Sequence, residues 1–249
     1  MTPTIEVSYR VMDASSDERL KDDLSLLSPE ERERHDRLMF AADRRDFAAA
    51  HALVRRRLSA AGGVPPGDWR FGAAPGGKPY VANAGAPDLV CNLSHTRALV
   101  ACAVARGPLD LGIDVENLDA GRNPSGIAER YFTPAERSWI AAAGEADRSI
   151  RFVELWTLKE AWLKATGAGV GAGLDAVSFG LDAGTGIEMQ TREAADGDWS
   201  FVMVEPAPGY RLSVALRSSR AWPRFVIRDD AGERAATPLR WSRAAVATA

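Results

Sequence analysis

The sequence predicts an α+β chain made of two helix-and-sheet halves that meet near residue 108. Three observations carry this expectation. Strand-like alternation opens the chain. Capping-box starts announce helices at Ser28-Pro29-Glu30-Glu31 and Thr133-Pro134-Ala135-Glu136, and the order strand, helices, strands occurs twice. No residue-level repeat accompanies that recurrence. The expected division is residues 1–108, residues 109–232 and a flexible tail over 233–249.

Ile5, Val7, Tyr9 and Val11 alternate with Glu6, Ser8 and Arg10, the period of a strand with one buried face. A single long helix is expected from the Ser28 cap. Its second half carries Phe47, His51, Val54 and Leu58 on one stripe, and Gly62-Gly63 ends it. Short strands follow at 68–71, 79–81 and 89–93, then an apolar strand at 98–105. In Leu109 to Glu116, Leu109, Leu111, Ile113 and Val115 face one way and Asp110, Gly112, Asp114 and Glu116 the other. A helix starts at Thr133, and a longer one spans about 148–166 and stops at Gly167. Further strands are expected at 176–181, 199–204, 210–216 and 225–228.

The chain has 249 residues, 46% hydrophobic, enough for a sizeable core. A formal charge of −3 gives no bulk attraction to nucleic acid or an anionic membrane. Cys91 and Cys102 are too few for a disulfide framework and read as reduced core thiols, and three histidines without Cys/His spacing offer no structural zinc site. The opening MTPTIEVSYR is not a secretory signal, and the longest uncharged apolar run, Ala98 to Ala105, falls far below the roughly 20 residues that span a bilayer. A cytoplasmic location is expected.

Four groups of residues can carry chemistry, and each also has a plain structural reading. Asp114 and Glu116 project from one strand face about 7 Å apart, which suits a hard cation such as Mg²⁺ or a solvated edge. Glu160 and Lys164, four apart on a helix, are an acid and a cation on one face or a surface ion pair. Ser94 and His95 at a strand end can hold a phosphate or make structural hydrogen bonds, and Lys78 follows a glycine turn, Gly76-Gly77. Arg44, Arg45, Arg55 and Arg56 read as a solvated helix face.

The order GKP, NLSH, GIDVE, FTPAE, WTLKEAWLK resembles the 4′-phosphopantetheinyl transferases, in particular the larger type that activates non-ribosomal peptide and polyketide synthases. The match runs from about Ser28 to Gly180. The resemblance implies a pseudodimer of two similar α+β halves with coenzyme A in the cleft between them and Mg²⁺ at its pyrophosphate. It implies Asp114, Glu116 and Glu160 as metal ligands, His95, Ser94 and Lys164 at the phosphates, and Lys78 near the adenine. A helix arginine belongs near the 3′-phosphate. The spacing departs here, because nine residues before Arg55 stands Asp46; Arg45 is taken, with Arg44 as the alternative.

The implied reaction moves phosphopantetheine from coenzyme A to a carrier-protein serine, with Glu160 and Lys164 catalytic. The implied partner is a small acidic acyl or peptidyl carrier domain, docking around Arg137, Trp139 and Arg148 unless that segment is a solvated loop. The expected form is a monomer. Rival readings are a non-catalytic coenzyme A-binding module, a magnesium-dependent phosphohydrolase and a housekeeping fatty-acid carrier enzyme.

Overall fold

The computed structural model of the chain describes every residue except 1, 14, 120–123, 169–172, 182–183, 185, 192–197, 219–221, 245–246 and 249. The chain runs β1 (Thr4–Val11), α1 (Ser15–Leu26), α2 (Pro29–Asp36), α3 (Ala41–Gly62), β2 (Phe71–Ala73), β3 (Pro79–Val81), β4 (Leu89–Thr96) and β5 (Leu99–Arg106). It continues with β6 (Asp110–Asn117), α4 (Pro124–Tyr131), α5 (Pro134–Ala141), α6 (Glu145–Thr166), β7 (Val177–Leu181), β8 (Ile187–Thr191), β9 (Asp198–Val204) and β10 (Tyr210–Ser218). Last come β11 (Arg224–Asp229), β12 (Pro238–Ala244) and β13 (Ala247–Thr248).

Two four-stranded sheets form the frame, in the orders β11-β1-β5-β4 and β12-β9-β10-β6. Their inner faces share one core. Ile5, Val7, Leu99 and Ala101 of the first sheet cluster with Leu111, Ile113, Val202 and Val214 of the second. The outer face of the first sheet packs on α3 through Val100, Cys102 and Val104 against Ala50, Leu53 and Leu58. The outer face of the second packs on α6 through Phe201, Met203 and Ala215 against Leu155, Leu158 and Trp162. Each half is thus a helix on a sheet, giving the expected mixed α+β architecture of two similar units. The uncharged run at 98–105 has the same cause, since β5 is buried on both faces. Left-handed Gly63 and Gly167 end α3 and α6 where the sequence placed those stops.

Several elements differ from expectation. The single helix after Ser28 is two, because α2 ends at Asp36 and folds its buried Glu31 against His51 and Arg55 of α3. α1, α4, β8 and β12 were not anticipated, and the strand placed at 68–71 is a 3₁₀ turn followed by β2. The segment read as a flexible tail supplies β12, paired antiparallel with β9. β11 crosses back to pair in parallel with β1, so residues 224–229 complete the first sheet. The arginines read as a solvated face are largely engaged. Arg55 is 1% exposed and bonded to Glu31 and Trp69 O, and Arg56 pairs with Asp23 at 2.6 Å. The two cysteines are free and buried, and burial pushes the Cys91 thiol up to about 12.

Candidate active site

The site begins with a glycine. Gly112 shares the outer face of β6 with Asp114 and Glu116, and a Cβ there would lie 2.0 Å from Ala161 O and 2.5 Å from Ala165 N. Only a residue without a side chain lets α6 come this close to β6. That approach sets α6 against the acidic strand. Trp156 Nε1 donates to Glu116 Oε1 at 3.2 Å, and Lys164 Nζ donates to Asp114 Oδ1 at 2.7 Å and to Ile113 O at 3.1 Å. Glu160, one turn from each, lies on the stripe between Trp156 and Lys164, opposite the interval from Glu116 to Asp114.

The edges of the two sheets meet at β4 and β6. No backbone ladder joins them; side chains of the NLSH segment take its place. Ile113 N–H donates to Asn92 Oδ1 at 3.0 Å and Val115 N–H to Ser94 Oγ at 3.4 Å, satisfying the open edge of β6. Ser94 Oγ donates to Asp114 Oδ1 at 2.9 Å, and Thr96 Oγ1 to Glu116 Oε2 at 3.1 Å. Lys164 Nζ also reaches Ser94 Oγ, at 3.0 Å. One ammonium therefore ties a helix of the second half to a strand of the first.

A cleft of about 740 Å³ opens between α2, α3, the β2–β3 hairpin and the C-terminal end of α6. Lys78, Glu160 and Lys164 line it. Lys78 Nζ donates to Ala165 O at 2.5 Å and lies 3.8 Å from Asp110. Burial lowers its pKa, opposed by the Asp110 charge. Ser94 and Asp114 join this group through Lys164, while Glu116 is held by Thr96 and Trp156. His95 stands at the end of β4; desolvation lowers its pKa, Asp46 opposes this and Lys164 adds to it. Arg45 stands apart from the cleft lining, with Nε 3.7 Å from Asp46. Arg44, the alternative, donates to Leu38 O and Met39 O across the α2–α3 turn.

Spacing alone did not disclose the roles of Asn92, Thr96, Trp156 and Asp110. The first three were visible only as parts of motifs, and their bonds span 21, 20 and 40 residues of sequence. A further pair supports the helix from behind. Lys159, fully buried, bonds Glu136 at 2.9 Å, and Glu136 also closes the capping box of α5.

The donor set fits a hard divalent cation. Asp114 Oδ2 is buried without a hydrogen-bond partner, and the nearby groups are carboxylate oxygens, the ligands such ions prefer. Among the described residues, no three His, Cys, Asp or Glu side chains are already gathered as a ligand group. A cation that takes one or two carboxylates and completes its shell with water and phosphate does not require one.

Two family descriptions divide the chain much as its sheets do. That of the 4′-phosphopantetheinyl transferase superfamily matches residues 110–215, and that of the 4′-phosphopantetheinyl transferase N-terminal region matches residues 14–106. The 4′-phosphopantetheinyl transferase HetI of Nostoc sp. is 31% identical over 218 residues, covering 87% of this chain and 90% of its own. A 4′-phosphopantetheinyl transferase of Bacillus subtilis is 31% identical, covering 69% and 73%, and the transferase Sfp of Bacillus subtilis strain 168 is 29% identical, covering 77% and 82%. With this similarity running through both halves and the junction residues between them, the chain belongs to the 4′-phosphopantetheinyl transferase superfamily.

Proposed function

We propose that the chain transfers the 4′-phosphopantetheine arm of coenzyme A to a serine of an acyl or peptidyl carrier protein, using Mg²⁺. The observation that carries this is Lys164. Its ammonium sits among Ser94, Asp114 and Ile113 O at the seam of the two halves, where a pyrophosphate entering from the cleft meets a cation and hydroxyl donors together. Asp114, Glu116 and Glu160 would hold the metal, which when bound neutralises charge on the pyrophosphate oxygens.

The carrier serine Oγ forms a bond to the β-phosphorus, and the bond from that phosphorus to the bridging oxygen breaks. The electron pair leaves with adenosine 3′,5′-bisphosphate. Glu160 takes the serine proton, directly or through water, and Lys164 steadies the leaving phosphate. His95, Ser94 and Arg45 orient the phosphates, and Lys78 closes the cleft beside the base.

Carrier domains of peptide and polyketide synthases are the proposed substrates, docking on the basic, aromatic face near Arg137, Arg148 and Trp139, where Arg151 stacks over Trp139. The chain would work as a cytoplasmic monomer, since its two halves already flank the cleft. Among the described residues, no helix is long and apolar enough to cross a membrane.

The test is intact mass spectrometry of an apo carrier domain incubated with the protein, coenzyme A and Mg²⁺. The carrier should gain the mass of one phosphopantetheine, and the gain should vanish with Asp114→Ala or without metal. No gain on peptidyl, polyketide and fatty-acid carriers alike, with coenzyme A still bound, would leave a binding module instead.

A further inference from the structure

The two-residue turn between β4 and β5 holds a backbone conformation that L-residues seldom adopt. Ala98 has φ +61°, the one left-handed non-glycine among the described residues. Two hydrogen bonds hold it there. Ala98 O accepts from Met12 N at 2.8 Å, and Ala98 N–H donates to Asp46 Oδ2 at 3.3 Å. Asp46 comes from α3 and is 4% exposed. Its second oxygen has no hydrogen bond and lies 3.7 Å from Arg45 Nε, an ion-pair distance. Burial raises the Asp46 pKa, opposed by the Ala98 bond and by the charges of Arg45 and His95, while Asp43 adds to the rise.

A buried carboxylate with half its hydrogen-bonding capacity unused is costly to keep unless it places something. What it touches is the turn that follows His95 and Thr96, and what it acts on electrostatically is His95 and Arg45. We propose that Asp46 is a positioning residue for coenzyme A binding: it clamps the strained β4–β5 turn and holds Arg45 and His95 at the phosphates. This rests on the reading of those two residues as phosphate contacts. It also accounts for an acid at the position where the family's spacing leads one to look for an arginine.

The test is steady-state kinetics of Asp46→Ala, Asp46→Asn, Ala98→Gly and Asp46→Ala/Ala98→Gly, with His95→Ala alongside and a melting curve for each. Asp46→Ala should raise KM for coenzyme A about tenfold while kcat and KM for the carrier stay within about twofold. Asp46→Asn keeps an acceptor for Ala98 N–H and should fall between. Ala98→Gly alone should be neutral. In the double variant it should recover part of the lost affinity, because glycine takes the left-handed conformation without a clamp.

An unchanged KM for coenzyme A in Asp46→Ala, with His95→Ala impaired, would overturn the proposal and leave the site reading intact. So would a loss of kcat and of both KM values that tracks melting temperature and is indifferent to glycine at 98. If His95→Ala is itself without effect, the phosphate reading of His95 falls and the proposal falls with it.

Discussion

Glu31 is 8% exposed and accepts from Ser28 N at 2.8 Å and from Arg55 Nη2 at 2.8 Å, with His51 Nδ1 3.0 Å from its other oxygen. Burial alone would raise its pKa, but the His51 and Ser28 bonds and the His51 and Arg55 charges pull it down to about 2. A depressed carboxylate stabilises the fold above its unfolded pKa and ceases to as pH falls through the folded one. The contribution, at most about 3 kcal/mol, is therefore complete above about pH 4.5 and lost toward pH 2. Urea titrations should find Glu31→Gln less stable than the parent at neutral pH and equal to it near pH 2. A constant gap across that range would mean the residue acts by packing alone. The sequence marked Glu31 as half of a capping box, and that much is local chemistry. Its second role, neutralising Arg55 from 24 residues away, leaves no mark at residue spacing, which is why Arg55 read as solvated.

At the scale of elements, the pairing of α6 with β6 depends on Gly112. Because a Cβ there would strike backbone atoms and not a yielding side chain, Gly112→Ala must push the helix outward. Displacements near 1 Å at a catalytic group cost on the order of a hundredfold in rate. The variant should therefore lose about that much kcat, along with about 1–3 kcal/mol of stability from overpacking. Gly180→Ala is the control, since its Cβ would meet Glu188 at an ordinary 3.6 Å; equal losses in both would remove the helix approach as the cause. The acidic face of β6 and the helical face of Glu160 and Lys164 were legible because both are fixed by period within one element. The break between α2 and α3 was not. Leu38, Met39 and Phe40 contain no glycine or proline, and Met39 and Phe40 are 81% and 63% exposed, so hydrophobic pattern pointed the wrong way. β8 does alternate buried and exposed residues, but a run of only five residues is a weak signal.

Across the whole molecule, the two halves are joined by more than the seam at β4 and β6. β11 leaves the second half and pairs with β1 from Thr4↔Arg224 to Tyr9↔Asp229, and Asp230 follows immediately. Asp230 Oδ2 accepts from Arg10 Nη2 at 2.7 Å, and Oδ1 lies 2.7 Å from Arg57 Nη2, while Arg10 also bonds Asp23 at 2.7 Å. Burial raises the Asp230 pKa, but the Arg10 charge and the hydrogen bonds of both arginines bring it below the ordinary value. Nothing local foretells a network spanning 220 residues of sequence, so the strand expected at 225–228 read as part of the second half alone. Removing one partner from a buried charge group leaves the others desolvated without full compensation. Asp230→Ala should therefore lower unfolding free energy by about 3 kcal/mol, discounted from larger buried-pair values because Arg10 retains Asp23. None of these side chains lines the cleft, so kcat/KM per folded molecule should hold. In urea the parent should unfold in one transition, and the variant in one transition at lower midpoint. Two separated transitions in the parent would mean the halves unfold independently, and the returning strand would then be an ornament of the first sheet and not the tie between them.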